Sequence, residues 1–177
     1  MAPLAELQSR LDGPAVLRCR PVDAGDEPFL LQLHASTQAP DLASAGLDPA
    51  MLSGLVHMQF EAQRRHYRQH YPGCEAWLIE RAGPVGQLWL QLGKPGLCLM
   101  DITVLPEKRR QGVATACLAA LTRWADEQGR HVHLHVAVDN PVRAWYERLG
   151  FVITGTHGLH QAMTRFSVNR ETLYEQA

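Results

Sequence analysis

Apolar residues recur along the chain with two different periods, and each period predicts one kind of element. Between His131 and Val138 they occupy every second position, which predicts a half-buried strand. From Val113 onward they recur at three- and four-residue spacing, which predicts an amphipathic helix that ends at Gly129. The second half of the chain therefore combines helices with strands.

Shorter apolar runs and turn residues predict the remaining elements. The predicted strands cover 15–20, 76–79, 85–92, 97–105, 131–138, 151–154 and 159–166, and the predicted helices lie around 29–33, from 49 to about 71, from 113 to 129 and after Asn140. The segment 35–46, rich in Ser, Ala, Gly and Pro, is predicted to be a mobile connection. Short turns join the three strands between 76 and 105, so their pairing is predicted to be antiparallel. The order β-α-α-β-β-β-α-β-α-β-β indicates a mixed sheet with helices packed against it.

The composition is that of one soluble globular domain. The chain has 177 residues, of which 46% are hydrophobic and 20% charged, so it can bury a core without disulfide bonds. We expect a leader at 1–14, a single domain at 15–166 and a tail at 167–177. The formal net charge of -1 provides no positive field that would attract nucleic acid or an anionic membrane.

The expected compartment follows from apolar runs and cysteine spacing. No apolar run approaches the roughly 20 residues that span a bilayer, and the N-terminus lacks the basic start and apolar core of a secretory signal. The four cysteines are scattered without a Cys-x-x-Cys pair, which favours reduced thiols. Cys98 and Cys117 stand in apolar settings and are predicted to be inert core thiols. We therefore expect a cytoplasmic protein whose partners include neither nucleic acid nor a membrane.

The strongest local signal runs from Asp101 to Thr115. An apolar strand leads into a short polar loop, and Gly112 opens a long helix. The start of a helix offers unpaired N–H groups and the positive end of the helix dipole, which together bind an anion. Arg109 and Arg110 add positive charge there. The loop lacks the Gly-Lys-Ser/Thr ending of a P-loop and the three-glycine dinucleotide fingerprint, so it points to a pyrophosphate held without magnesium, as in coenzyme A.

Two motifs resemble the GNAT (Gcn5-related N-acetyltransferase) superfamily. Its Arg/Gln-x-x-Gly-x-Gly/Ala pattern is matched from Arg109 to Ala114, where alanine stands at a position that is glycine in many relatives. An Asn-opened helix with a Tyr before Gly-Phe is matched from Asn140 to Phe151. The element order over about 15–166 is similar as well. The resemblance implies an α/β (α+β) fold with a mixed, mostly antiparallel central sheet of about seven strands flanked by about four helices.

The resemblance also implies the activity and the residues that hold the donor. The activity would be N-acetyl transfer from acetyl-CoA to an amine in a ternary complex, with no metal. Backbone groups of Ile102 and Val104 would hydrogen-bond the pantetheine arm, and a preorganised N–H near Val104 would polarise the thioester carbonyl. The residues implied for acetyl-CoA are Ile102, Thr103, Val104, Arg109, Arg110, Gln111, Gly112, Val113, Ala114, Thr115, Asn140 and Tyr146, with the amides from Arg109 through Thr115 around the pyrophosphate.

Two side chains are candidates for catalysis. The resemblance implies that Tyr146 protonates the leaving thiolate as a general acid, although its spacing with apolar neighbours also fits a core aromatic. Asp101, a carboxylate in an otherwise apolar strand, is a candidate base for the acceptor ammonium and shares a strand face with Thr103. A structural role for Asp101 and a water chain as the base stay open. Asn140 fits a helix cap and a cofactor contact at once.

Histidines are the other candidates for a site. His131, His133 and His135 share one strand face, where spacing of about 7 Å suits packing or the acceptor side better than one tetrahedral zinc ion. His66 and His70 are one helical turn apart among arginines, which indicates a solvated basic face more than a metal site.

The acceptor is not specified by any motif. The segment 32–71, where enzymes of this type shape the acceptor site, carries no readable pattern, so the partner is a small-molecule or peptide amine of unknown identity. The alternative function is a domain that binds acetyl-CoA for regulation or interaction without turnover. A homodimer is common among the proteins that the chain resembles.

Overall fold

A computed structural model describes residues 17–42, 48–94 and 96–168 of the chain. The predicted leader at 1–14 lies outside these ranges, as do all but the first two residues of the predicted tail at 167–177. Within them, seven strands and four α-helices follow one another in the order predicted from the sequence.

The bounds of the elements are as follows. The strands are β1 (Arg18–Pro21), β2 (Cys74–Glu80), β3 (Pro84–Leu92), β4 (Gly96–Val104), β5 (His131–Ala137), β6 (Val152–His157) and β7 (His160–Arg165). The helices are α1 (Glu27–Leu42), α2 (Pro49–His70), α3 (Val113–Glu127) and α4 (Arg143–Arg148). Short 3-10 helices at Ala24–Asp26 and Pro106–Lys108 precede α1 and α3. Over the described residues, no helix is both long enough and apolar enough to cross a membrane.

The seven strands form one sheet in the order β1-β2-β3-β4-β5-β7-β6. All neighbours pair antiparallel except β4 and β5, which run parallel because α3 carries the chain back between them. The predicted antiparallel meander of three strands is confirmed for β2, β3 and β4. The mixed, mostly antiparallel sheet is confirmed as well.

Helices cover both faces of the sheet. On one face α3 buries Leu121 and Trp124 in the large core, which also contains the apolar positions of β5. On the other face Leu30 of α1 and Phe60 of α2 enclose Leu78 of β2 in a smaller cluster. Each such side chain contributes about 1.5–3 kcal/mol when it is fully buried, so both layers hold the sheet in place.

The predicted mobile connection at 35–46 is wrong in its first part. Helix α1 continues through Leu42, so residues 35–42 are helical. The hydroxyls of Ser36 and Thr37 donate to the carbonyls of Leu33 and His34 at 2.7 and 2.8 Å. These bonds satisfy the two side chains inside the helix, whereas the same residue types otherwise favour turns. Residues 43–46 lie outside the described ranges.

A β-bulge interrupts β4 at Met100. Trp89 of β3 lies opposite Asp101 and Leu90 lies opposite Leu99, so Met100 is an extra residue in the register. It reverses the side-chain alternation, because directly opposite residues share a face of the sheet. Leu99 faces the large core with Leu90, whereas Asp101 shares the opposite face with Trp89. A regular strand would place Leu99 and Asp101 on the same face.

Candidate functional site

Strands β4 and β5 pair over only four residues and then separate. Their parallel register ends at the pair Leu99 and Leu134, although β4 continues to Val104 and β5 to Ala137. The pairing stops beside the bulge at Met100, and a bulge bends the strand that carries it. A cleft of about 540 Å³ lies between the separated ends of the two strands.

The cleft brings together residues from both sequence motifs. The predicted site residues that line it are Asp101, Ile102, Val104, Arg109, Ala114, Asn140 and Tyr146. The predicted residues Thr103, Arg110, Gln111, Gly112, Val113 and Thr115 do not line it. Met100, His135, Val142, Trp145 and His160 also line the cleft without having been assigned to it from the sequence. Their place depends on how the strands separate, and no local pattern encodes that separation.

The backbone of β4 presents alternate residues to the cleft. The amide of Leu105 donates to the carbonyl of Val85 on the β3 side at 2.9 Å. The backbone groups of successive residues point to opposite edges of a strand. The backbone groups of Thr103 therefore also point to β3, whereas those of Ile102 and Val104 point to the open edge. These are the two residues that the resemblance assigns to the pantetheine arm.

The loop between β4 and α3 contains two residues with left-handed backbone conformation. Arg110 has φ of 58° and Gly112 has φ of 79°. Glycine adopts this region freely, whereas for an arginine it costs about 1–2 kcal/mol. Arg81 donates to the carbonyl of Gln111 at 3.2 Å, and the Gln111 side chain donates to the carbonyl of Glu107 at 2.8 Å. These two bonds hold the strained loop in place.

The start of α3 is open to a ligand. Gly112 is the N-cap residue, and no side chain in the described range 96–168 caps the helix there. The amides from Gly112 to Thr115 therefore have no partner inside the helix. A Cβ placed on Gly112 would meet nothing within 4 Å, so the space above it is free. Val113 points into the large core, Ala114 lines the cleft and Thr115 is exposed.

Arg109 contributes its side chain to the cleft rather than its amide. The amide donates to the carbonyl of Pro106 at 3.2 Å within the 3-10 turn. The guanidinium Nε donates to the carbonyl of Val104 at 3.0 Å. A positive charge is thereby fixed between the open edge of β4 and the start of α3, where the helix dipole also favours an anion.

The side chain of Asp101 is partly buried where it lines the cleft. Thr103 donates a hydrogen bond of 2.7 Å to its Oδ2 atom, so the two side chains share a strand face as expected. Burial raises the pKa of Asp101, while hydrogen bonds from Thr103 and the Ile102 amide and the charge of His34 act in the opposite direction. The net change is upward, which makes this carboxylate a stronger proton acceptor than an ordinary aspartate.

Tyr146 belongs to the core and to the cleft at once. Its ring meets Phe151 edge-on with centroids 5.6 Å apart and lies tilted against Trp145 at 4.9 Å. The side chain is 8% exposed. Burial raises the pKa of Tyr146 to about 12, with a smaller contribution from the charge of Asp101. The phenol therefore stays protonated at neutral pH and is able to donate a hydrogen bond.

Asn140 caps the turn that leads into α4. Its side-chain oxygen accepts from the amide of Val142 at 3.0 Å, and its carbonyl accepts from the amide of Arg143 at 3.1 Å. The helix itself begins at Arg143 rather than at Pro141, because 141 and 142 form the turn that Asn140 holds. Asn140 also lines the cleft, so a cap and a ligand contact are compatible at this position.

A second pocket, of about 480 Å³, adjoins the cleft and is referred to below as the histidine pocket. It is lined by His66, Tyr67, Tyr71, Cys98, Leu99, Met100, His135, His157 and His160. Four of these residues, Leu99, Met100, His135 and His160, line the cleft as well. Burial raises the pKa of Tyr67 to about 12, and the charge of Asp101 adds to this shift. Asp101 therefore acts electrostatically on both cavities.

Little of the histidine pocket was predicted from the sequence. His135 was expected among packing or acceptor-side groups, and Tyr67, His157 and His160 had no predicted role. The strand alternation was the signal for His135, whereas the others meet only in the folded chain. Cys98, predicted to be a core thiol, lines this pocket and is partly buried, and burial raises its pKa.

The histidines do not form a metal centre. Among the residues that the structure describes, no group of three or more His, Cys, Asp or Glu side chains is arranged to hold a metal ion. His131 and His133 meet edge-on with centroids 6.2 Å apart, and Nδ1 of His133 lies 3.0 Å from Oγ1 of Thr164. His66 and His70 stack on each other at 4.3 Å on the exposed side of α2.

Comparison with known proteins gives one family. The sequence model of the acetyltransferase (GNAT) family matches residues 49–151, which is more than half of the chain. The match includes β4, the loop before α3 and the helix that carries Tyr146. A comparison with curated proteins finds no match.

Solved structures share the fold at low sequence identity. The PaiA N-acetyltransferase of Thermoplasma acidophilum, in complex with coenzyme A, has a TM-score of 0.63 and 14% identity over 85% of this chain and 98% of its own. An acetyltransferase from Thermus thermophilus has a TM-score of 0.61 and 21% identity, and the match covers 85% of this chain and 97% of that protein. A chimera of the Vibrio cholerae spermidine N-acetyltransferase has a TM-score of 0.57 and 22% identity, and the match covers 85% of this chain and 95% of the chimera. With the fold shared and the family model matched over both motifs, the chain belongs to the acetyltransferase (GNAT) family.

Proposed function

We propose that the chain is an N-acetyltransferase that moves the acetyl group of acetyl-CoA to a primary amine by direct attack in a ternary complex. The observation that carries the proposal is the convergence of Asp101 and Tyr146 with the open edge of β4 where β4 and β5 separate. The uncapped start of α3 lies at one end of this cleft and the histidine pocket adjoins it. A donor and an acceptor can therefore approach one junction from two cavities.

The donor side has the groups that a pyrophosphate and a pantetheine arm require. Amides of the first turn of α3 would bind the pyrophosphate, and Arg109 and Arg110 would supply positive charge. Ile102 and Val104 would bind the arm through the backbone groups at the open edge of β4. Acetyl-CoA supplies the acetyl group as an activated thioester. The amide of Val104 would stabilise the negative charge that develops on its carbonyl oxygen.

Asp101 would prepare the acceptor. Its charge attracts an ammonium group, and its raised pKa favours uptake of one of the ammonium protons. The free amine then attacks the thioester carbonyl, so that a C–N bond forms and the C–S bond breaks. The proton on Asp101 passes to solvent, and the second proton lost by the nitrogen ends on the sulfur. Much of the rate enhancement would come from holding the amine next to the carbonyl.

Tyr146 would assist the departure of the thiolate. Its pKa of about 12 exceeds that of an ordinary thiol, about 8.5, so the phenol is the weaker acid of the two. It would therefore stabilise the thiolate as a hydrogen-bond donor and relay the nitrogen's proton to it, without becoming a phenolate that persists.

Calorimetric titration with acetyl-CoA tests the donor site. We expect saturable binding by the wild-type protein and a loss of about 100-fold or more in affinity for Gly112→Glu, because the new carboxylate stands where the pyrophosphate would lie. Gly73→Glu is the matched control, because Gly73 has nearly the same φ, 77°, with nothing within 4 Å of its Cβ position. It introduces the same charge and the same backbone strain away from the cleft, and its affinity should be unchanged.

Thiol release with a library of amines tests the reaction. We expect turnover with at least one primary amine, and no radiolabelled acetyl group bound covalently to denatured protein after incubation with acetyl-CoA alone. Covalent labelling would contradict direct attack and indicate an acyl-enzyme intermediate instead. Tight binding without turnover across the library would favour the alternative of a regulatory acetyl-CoA-binding domain. Absence of binding would overturn the proposal altogether.

A further inference from the structure

The histidine pocket is polar but has no acidic lining. The polar side chains that line it in the described part of the chain are four imidazoles, two phenols and one thiol, with no Asp, Glu, Lys or Arg among them. The imidazoles come from three parts of the fold: His66 from α2, His135 from β5, and His157 and His160 from the β6–β7 hairpin. Side chains from distant parts of the sequence thus present similar chemistry to one cavity.

The imidazoles of the pocket are accessible to a ligand. All four histidines are exposed. His157 and His160 lie directly opposite each other at the end of the hairpin, where Gly158 has φ of 57° in the turn. The rings of His66 and Tyr71, which line the same pocket, meet edge-on with centroids 6.3 Å apart. The ring N–H groups are therefore available for hydrogen bonds across an open, mostly aromatic surface.

The charges around the junction are separated in space. Asp101 lines the cleft directly after Met100, which lines both the cleft and the pocket, so its carboxylate lies near the place where the two cavities meet. Beyond Asp101 the pocket offers hydrogen-bond donors and no second carboxylate. An acceptor that spans the pocket would therefore meet a negative group at its reacting end and donor groups at its other end.

We propose that the histidine pocket binds an anionic group of the acceptor, so that the acceptor is an amine that also carries a carboxylate, as an amino acid does. The inference rests on the proposed function and specifies its substrate class. An imidazole donates one N–H when neutral and two when protonated, so every protonation state of the pocket can bind a carboxylate. A polyamine would instead bring a second ammonium group to a surface with no carboxylate to pair it. The volume of about 480 Å³ is ample for a small molecule of this kind.

Paired acceptors test the inference. Each amino acid in a panel is assayed next to its carboxamide, and spermidine is included as a polyamine. We expect the wild-type protein to acetylate carboxylate acceptors. We expect the double variant His157→Phe, His160→Phe, which keeps a ring at each position and removes its N–H donor, to lower kcat/KM for them by about ten-fold, mainly through KM, because a hydrogen bond to a charged group is lost. For the carboxamides, the kcat/KM of the variant divided by that of the wild type should stay near one. Because each acceptor is compared with itself in the two proteins, the different reactivity of the two amines cancels.

Two further variants control for folding and for the loss of a histidine as such. His57→Phe makes the same change at an exposed histidine of α2 that does not line the pocket, and it should leave both classes of acceptor unaffected. His66→Phe removes the donor from a second element of the pocket, should the hairpin variant fold poorly. Acetyl-CoA affinity is measured for every variant and should not change for His57→Phe and His66→Phe, because neither position lines the cleft.

The outcomes separate this inference from the proposed function. Equal losses for carboxylate and carboxamide acceptors, or a preference for spermidine, would overturn the inference while acetyl-CoA binding and turnover keep the proposed function intact. Failure to bind acetyl-CoA or to acetylate any amine would overturn the proposed function, and the inference would be lost with it.

Discussion

Thr103 donates a hydrogen bond of 2.7 Å to the carboxylate of Asp101, two residues earlier on the same strand. The bond lies on the sheet face that the bulge at Met100 exposes to α1 and α2 rather than to the large core. It supports a carboxylate whose charged form burial disfavours. The ionised form of Asp101 therefore lowers the stability of the folded protein, and such sites are common for groups that act in catalysis.

Replacing Asp101 by asparagine should change how stability depends on pH. The folded-state pKa of Asp101 is raised, so the native protein holds this proton more tightly than the unfolded chain does. Its contribution to stability is therefore largest below the ordinary aspartate pKa of about 3.9 and is lost as pH rises through the raised value. Because asparagine cannot ionise, the unfolding free energy of Asp101→Asn should increase relative to that of wild type as the pH rises from 4 to 8. Denaturant titrations of both proteins at pH 4, 6 and 8 measure this, and parallel curves would contradict it.

The same variant distinguishes a base from a structural carboxylate. If Asp101 takes the ammonium proton, kcat for Asp101→Asn falls by about 100-fold near pH 7. The deficit then shrinks as pH rises, because an amine with a pKa near 10.4 deprotonates in solution. A pH–rate profile of wild type and variant measures the ratio. A ratio that stays constant with pH would assign Asp101 a structural role and leave the proton to a water chain.

Tyr146→Phe should lower turnover without weakening donor binding. The ring packs in the core against Phe151 and Trp145, and phenylalanine keeps those contacts, so the loss is confined to the hydroxyl. We expect kcat to fall by about 100-fold and the acetyl-CoA dissociation constant to change less than about two-fold. Steady-state kinetics and calorimetry on the same preparation measure both. An unchanged rate would remove the hydroxyl from the mechanism.

Gly96→Ala should separate β4 from β5. A Cβ at Gly96 would meet the backbone carbonyl of His131, directly across the parallel pair, and neither backbone can yield without moving a strand. We expect the unfolding free energy to fall by about 1–3 kcal/mol. Gly54→Ala is the control, because Gly54 lies inside α2 with open space around its Cβ position. That substitution should raise the unfolding free energy by about 0.5–1 kcal/mol, and a loss at both positions would refute the steric explanation.

Arg110→Gly should stabilise the protein and weaken donor binding. The left-handed backbone at Arg110, with φ of 58°, suits glycine, and relief of this strain should contribute about 0.5–1 kcal/mol after the greater flexibility of unfolded glycine is subtracted. The lost charge should lower acetyl-CoA affinity about three- to ten-fold, less so at high salt. Thermal unfolding and calorimetry measure the two effects.

Ala82→Gly isolates the backbone effect of that substitution. Ala82, with φ of 54°, is the other residue apart from glycine that has a positive φ in the described ranges. It lies in the β2–β3 turn, where glycine should stabilise the protein similarly and leave acetyl-CoA affinity unaltered. Equal affinities for wild type and Arg110→Gly would place Arg110 outside the donor site.

The sequence predicted the elements whose patterns are local. The strict alternation of β5 gave its bounds to within one residue, and Asp48 with Pro49 gave the start of α2, where the Asp48 carboxylate accepts from two amides. The helix at 35–42 was missed, because Ser and Thr favour loops unless their hydroxyls bond back along the helix. The bulge at Met100 was missed as well, because a run of apolar residues on a strand buried on both faces looks the same with or without an extra residue.

The cleft could be predicted only in part for a related reason. Arg109 and Gly112 belong to a short motif whose residues are close in sequence. That motif predicted the end of the cleft at the loop before α3. His157 and His160 reach the pocket that His66 also lines through pairings of β5, β7 and β6 that no local spacing records. The histidine pocket, which is the proposed acceptor side, therefore had no sequence signal of its own.

The four-residue pairing of β4 with β5 has a consequence for how the protein opens. Short turns join β2, β3 and β4 into one meander and β6 and β7 into a hairpin, so most of each half of the sheet can assemble from contacts near in sequence, although β1 joins β2 only across α1 and α2. The seam between them requires closure of a long loop that includes α3, and such contacts form slowly. We expect two cooperative units in native-state hydrogen exchange, with the amides of the seam exchanging through a smaller opening than those inside either half. The site would then lie on the boundary between two folding units, where a bound donor would join them and slow their separation.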